Sequence, residues 1–291
     1  MTEPLPAREL SLGGILVKDR VFWFGVVVFT SMAMPMLFPL LEGDALWKWR
    51  NLYADVPLYA VALLAILTGL KKMQAPREKR FWGFVAFAFG AVLVDEIIIA
   101  TVPLSIWNNG WELATQTIYL AYYLGLALSL EALRWNADEG GGQTLRWFRT
   151  VGVGILLVAL LVYAEILPNT LQGNDYVTWG PALLIYVGLD VILFSGFVQA
   201  RMSTTDHRWK RILGGMALVT GSFAIVDLGE AALYVEPLVS NEPAPIWDLF
   251  WFAPVAIMVV VARRNLLTQR VDLEPSIRTP KKTLSGGPLV A

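Results

Sequence analysis

Hydrophobic positions fall along this chain in eight long blocks, at roughly 21–41, 53–70, 81–103, 113–133, 148–167, 177–200, 212–235 and 247–264. Polar and charged residues gather in the short stretches between them. A bilayer core about 30 Å thick needs about 20 mainly apolar residues per helix, and each block is of that order. None alternates apolar and polar residue by residue, as a barrel strand would. The pattern predicts an all-α polytopic membrane protein with eight transmembrane helices.

Charge gives the blocks a direction. Lys48 and Arg50 lie between the first and second blocks. The other Lys and Arg residues, out of 23 in all, fall in the N-terminal segment, in the even-numbered connections and in the C-terminal segment. Basic residues mark the cytoplasmic side, so both ends are expected in the cytoplasm. An odd number of helices would break this alternation. Trp47, Trp49, Trp107, Trp111, Trp179 and Trp247 near outer ends, and Trp82, Trp135, Trp147 and Trp209 near inner ends, read as headgroup anchors. The run 69–80 reads as a solvated cytoplasmic loop.

The two halves resemble one another. Leu93-Val94-Asp95-Glu96 in the third block matches Ile225-Val226-Asp227-Leu228 in the seventh. Trp111-Glu112-Leu113 opens the fourth block and Trp247-Asp248-Leu249 the eighth. The offset is about 130 residues, and four helices per half make the repeat parallel rather than inverted. The expected division is a cytoplasmic segment 1–20, a four-helix half 21–135, a loop 136–147, a second half 148–265 and a cytoplasmic linker or tail 266–291. The Pro-rich polar stretch after about residue 264 suggests a lead into an output domain.

Acidic residues lie inside the blocks. Asp95, Glu96, Glu165, Asp227 and Glu230 fall in outer halves, Asp190 lies near a middle, and Glu112 and Asp248 stand at outer ends. An ionised carboxylate in lipid costs at least about 2.5–3.5 kcal/mol, so these groups should face the bundle interior, carry protons, or both. Helical spacing agrees. Glu112, Gln116, Tyr119 and Tyr123 share one face of the fourth helix; Trp179, Tyr186 and Asp190 share one of the sixth. Thr220, Asp227, Glu230 and Tyr234 form a similar stripe on the seventh. The candidate ligand-binding set is Asp95, Glu96, Glu112, Gln116, Tyr119, Tyr123, Asp190, Asp227, Glu230 and Asp248, around a polar pocket open to the outside. A structural hydrogen-bond network is the competing reading.

Composition removes several chemistries. With no cysteine, disulfides, thiolate metal sites and thiol catalysis are excluded. The single histidine, His207, lies in a polar loop, so no intramembrane His-ligated haem is expected. The blocks carry no core lysine for a retinal Schiff base. A net charge of −1 offers no basic surface for nucleic acid. Met32, Met34 and Met36 around Pro35 read as core packing at a proline kink rather than a Cu(I) site. Gly140-Gly141-Gly142 is a loop without the Lys-Ser/Thr of a phosphate cradle. No metal or cofactor is expected.

Tyr119-Leu120-Ala121-Tyr122-Tyr123-Leu124-Gly125-Leu126-Ala127-Leu128 and Trp247-Asp248-Leu249-Phe250-Trp251-Phe252-Ala253-Pro254 resemble corresponding helices in the multi-helix N-terminal sensor regions of bacterial membrane histidine kinases and diguanylate cyclases. The resemblance spans roughly 15–270. It implies a signal-input module of the bacterial inner membrane that binds a small or lipophilic ligand and relays to a cytoplasmic output domain or partner; a dimer fits such a module. No kinase or cyclase domain is present in the chain. A second resemblance, on Asn108-Asn109-Gly110-Trp111-Glu112 and the Trp-Asp-x-x-Trp context of Asp248, is to membrane-bound terpene cyclases of meroterpenoid pathways. That one implies Glu112 and Asp248 as catalytic acids. A secondary transporter or channel is a third reading, carried by the parallel repeat and the intramembrane carboxylates.

Overall fold

A computed structural model describes residues 16–38, 49, 55–102, 109–134, 154, 175–235 and 245–277; at the helix ends near 109–113, 175–184, 230–235, 245–249 and 269–277, and at 36, 116 and 134, it describes the backbone alone. The described residues are all-helical: α1 (Arg20–Leu37), α2 (Val56–Leu70), α3 (Pro76–Thr101), α4 (Asn109–Arg134), α5 (Asp175–Ser203), α6 (His207–Val235) and α7 (Pro245–Ile277). The block at 148–167 lies outside the described residues apart from Gly154.

Local chemistry sets the ends. Asp19 caps α1, its Oδ1 accepting the Phe22 N–H at 2.9 Å. Pro76 opens α3 after an extended Ala75, as a proline at the first helical position requires of its predecessor. Asp206 caps α6 by accepting the N–H groups of Arg208 at 2.7 Å and Trp209 at 3.3 Å.

Four helical stretches are long and apolar enough to cross a bilayer: Pro76–Thr101, Ile185–Ser203, His207–Gly229 and Phe250–Thr268. Their polarity is inside out. On α6, Leu218 and Ile225 are 63% and 68% exposed, while Thr220 and Asp227 are wholly buried. Phe87, Val94, Phe194 and Phe250 are likewise exposed beside buried Asp95 and Asp190. Water would expel such a surface and solvate such acids; lipid does the opposite. The chain is therefore a helical membrane protein.

The helices form a closed ring. α2 packs on α3, α3 on α4, α4 on α5, α5 on α6, α6 on α7, and α7 returns to α2, with α1 against α2 and α7. Small residues permit the closest crossings: a Cβ on Gly125 would meet Ala88 Cβ at 2.8 Å, and one on Gly215 would meet Val261 Cγ2 at 2.5 Å. Adjacent α4 and α5 run in the same direction, since Tyr123 meets Asp190 and Leu130 meets Gly196. α7 and α2 do likewise, since Val259 lies beside Leu58 and Arg263 beside Thr68.

Three expectations are corrected. Trp82, expected as a headgroup anchor, is 1% exposed and packs edge-on against Phe81 at 5.3 Å, because α3 turns that face to the ring interior. Trp209 is half-buried, edge-on to Phe81 at 5.3 Å and with the Arg77 guanidinium 5.9 Å from its ring centre. The 69–80 run is not solvated throughout: α3 begins at Pro76 and buries Glu78. α7 runs through Ile277 and holds Arg263 buried within it.

Candidate functional site

The polar centre is built from three helices. Tyr119, Tyr122 and Tyr123 project from α4, Tyr186 and Asp190 from α5, and Thr220, Phe223 and Asp227 from α6. Spacing of three, four and seven residues keeps each set on one helix face. Tyr123 Oη donates to Asp190 Oδ2 at 3.2 Å. Asp227 of α6 lies close enough for its charge to act on the Asp190 carboxyl, and both residues are wholly buried.

Aromatic rings close around the acids. Tyr186 stacks on Tyr123 with centroids 5.7 Å apart and an interplanar angle of 8°, and meets Tyr119 edge-on at 4.9 Å. Tyr122 joins Tyr123 at 5.1 Å and Phe223 of α6 at 5.6 Å. Phe89 of α3 extends the contact from Tyr122 to Tyr59 of α2. Such edge-to-face pairs add about 0.5–1.5 kcal/mol each beyond their area.

At the centre, Tyr122 Oη and Asp190 Oδ1 have no hydrogen-bond partner among the described residues. Asp95 Oδ1 on α3 is in the same state. Tyr59 links the two regions, with its hydroxyl in electrostatic reach of Glu96, Asp55, Asp227 and Asp95.

No protein-family model, curated protein or solved structure matches the chain.

Of the expected set, the structure brings together Tyr119, Tyr123, Asp190 and Asp227. Asp95 and the half-buried Glu96 stand off on α3, reached through Tyr59. Glu112, Gln116, Glu230 and Asp248 are on α4, α6 and α7, and their side chains lie outside the described residues, as do Glu165, Trp179 and Tyr234. The expected outward opening of the pocket falls there too. Tyr122 and Tyr59 were not singled out from the sequence; the run Tyr122-Tyr123 was the available signal for the first.

A second polar cluster gathers at the opposite end of the helices. Arg263 of α7 donates from Nε to both Asp19 oxygens at 3.0 and 3.1 Å and from Nη2 to Oδ2, while its Nη1 donates to Thr68 Oγ1 at 2.8 Å. This ties α1, α2 and α7. Burial pushes the Asp19 carboxyl up, but the Arg263 hydrogen bonds and charge, with the N–H groups of the α1 terminus, outweigh it and hold it below its ordinary value of 3.8. Beside it, Arg208 of α6 pairs with Glu78 of α3 and donates to Asn265 Oδ1 of α7 at 3.0 and 3.1 Å; Asn265 Nδ2 donates to Glu78 Oε1 at 3.2 Å. Arg77 donates to the Leu133 carbonyl of α4.

Among the described residues, no group of three or more His, Cys, Asp or Glu is placed to hold a metal ion. A cleft of about 130 Å³ between α1, α2 and α7, lined by Phe22, Phe29, Leu58 and Val259, is apolar and belongs to neither cluster.

Proposed function

We propose that the chain is a signal-input module of a bacterial inner membrane. In this reading it has eight spans as two parallel four-helix repeats, with both ends in the cytoplasm. A small or lipophilic ligand from the outer side acts on the Tyr119/Tyr123/Asp190/Asp227 centre, and α7 relays the change to a cytoplasmic output domain or partner.

One observation carries the relay. The Asp/Tyr centre and the Arg263 and Arg208 clusters lie along the same helices, with α6 serving both and α7 held by two arginine-centred networks at its far end. A shift in α6 at Asp227 therefore bears on Arg208 and, through Asn265, on α7.

The packing order supports the repeat. An offset of about 130 residues carries α2, α3 and α4 onto α5, α6 and α7, and the ring of contacts maps onto itself. Parallel α3 and α6 meet where the repeat would place its axis, at Glu78 and Arg208, which are 130 residues apart. Parallel neighbours α4 and α5 also support an eighth span. The connection between them must return to the starting side, and the apolar block 148–167 lies within it.

Transport is the second reading, favoured by one observation: a buried carboxyl pair, Asp190 and Asp227, near the middle of the bundle. The test is native mass spectrometry of the protein in native-lipid nanodiscs, wild type against an Asp190→Asn/Asp227→Asn double variant. A discrete molecule retained by the wild type and lost from the variant is expected. Identical profiles would contradict the ligand site.

A further inference from the structure

Three arginines meet on the outer side of α6, at the end of the helices that holds Arg208. Val191, Phe194, Val198 and Arg201 recur at helical spacing on one face of α5. Phe194 Cδ2 lies 3.0 Å from where a Cβ on Gly221 would stand, and Arg201 Nε lies 3.3 Å from the same point on Gly214. That face of α5 therefore runs along α6, with Arg201 laid across Gly214. On the other flank, Val261 of α7 packs over Gly215, and Arg208 reaches Asn265. These two contacts fix the antiparallel register of α6 and α7. It sets Arg211, one turn from Gly215, level with Arg264, which shares a face of α7 with Ile257 and Val261. Arg211 and Arg264 are close enough for their charges to act on one another.

Charge at this corner is unbalanced. Arg77, Arg208 and Arg263, at the same end of the helices, all donate to described partners. The side chains of Arg201, Arg211 and Arg264 make no hydrogen bond or ion pair among the described residues. Asp206, the acid nearest to Arg208 in sequence, spends its Oδ1 on capping α6. The surface beside the arginines is apolar. Leu218 and Ile225 follow Arg211 at steps of seven residues on the exposed stripe of α6, flanked by exposed Val191 and Phe194 of α5. A free anion would satisfy the guanidinium groups and leave that stripe unmatched. An anionic amphiphile matches both, and a bilayer supplies it at the ends of the spans, where all three arginines stand. Guanidinium forks suit phosphate oxygens in particular.

We propose that Arg201, Arg211 and Arg264 hold the phosphate of an anionic phospholipid, whose acyl chains lie along Leu218 and Ile225 of α6. The site stands on the packing of α5, α6 and α7 and needs no ligand at the tyrosine centre; the topology proposed above puts it in the cytoplasmic leaflet. Arg211 is one turn from Arg208, and Arg264 adjoins Asn265. A bound headgroup therefore braces α6 against α7 beside the Arg208–Asn265 contact.

The experiment is native mass spectrometry of the full-length protein, delipidated in detergent and titrated with phosphatidylglycerol or with phosphatidylcholine of the same acyl chains. Wild type should hold phosphatidylglycerol the more tightly. Its first bound molecule should be held about fivefold more weakly in each of Arg201→Gln, Arg211→Gln and Arg264→Gln. A Lys71→Gln/Lys72→Gln variant, which removes exposed positive charge from the same end of the helices, should bind as wild type does. Arg201 and Arg211 are exposed, so their variants test the site even if Arg264→Gln fails to fold. Equal retention of the two lipids by wild type, or equal weakening in the lysine variant, would overturn the proposal. So would displacement of the lipid by inorganic phosphate at matching concentration, which would mark a site for the free anion. A lipid kept by the Asp190→Asn/Asp227→Asn variant and weakened by the arginine variants belongs to this site, so the signal-input reading and this one can fail separately.

Discussion

At the scale of single residues, the chain separates two uses of charge. Asp190 and Asp227 are buried acids set among tyrosines. Asp19 and Glu78 are acids matched to arginines, with Arg263 making four hydrogen bonds to Asp19 and Thr68. Removing one partner of a buried ion pair strands the other, at about 3–5 kcal/mol. Asp19→Ala and Arg263→Ala should each lower the stability of the detergent-solubilised protein by that order, and the double variant should cost less than the two summed. A pH dependence follows. The folded carboxyl of Asp19 lies below its unfolded value, so its contribution is complete above about pH 4 and is lost as pH falls through the folded value. Melting temperatures of wild type and Asp19→Asn should therefore converge on acidification below about pH 4; a constant difference down to lower pH would contradict the pairing.

At the scale of helices, close approach decides stability. Gly125 of α4 touches the backbone of α3, with Phe84 O 2.9 Å from where a Cβ would stand. Gly90 of α3 has nothing within 4 Å of that position. Gly125→Ala should destabilise by about 1–3 kcal/mol through overpacking, while Gly90→Ala should be neutral or stabilising by up to about 1 kcal/mol. Equal effects in a thermal unfolding assay would mean that the α3–α4 crossing is looser than described. The helices themselves are plain in the sequence, because lipid demands long apolar runs and punishes every exception. The grouping of Tyr119, Tyr123, Asp190 and Asp227 was legible for the same reason: a polar stripe on an apolar helix has only the interior to face. The arginine clusters were not. Asp19 and Arg263 are 244 residues apart and Glu78 and Arg208 130 apart, and in sequence each reads as a loop charge. Trp82 was misplaced because an aromatic residue near a helix end fits the membrane interface and the core equally well until the helix is rotated.

At the scale of the molecule, the buried acid centre and the arginine clusters lie on the same helices, and the proposed relay would run from the outer side to the cytoplasmic side. It depends on that direction, and a chain without cysteine allows it to be read directly. Single-cysteine variants at Gln74, Gly141, Thr205, Ser105, Thr170 and Ser240 would be labelled in intact cells and in inverted vesicles with a membrane-impermeant maleimide. The account predicts that Gln74, Gly141 and Thr205 react only from the cytoplasmic side and that Ser105, Thr170 and Ser240 react only from the other. Labelling of Gly141 and Thr170 from the same side would contradict the eight-span repeat, and with it the placing of the acid centre and the arginine clusters in one relay.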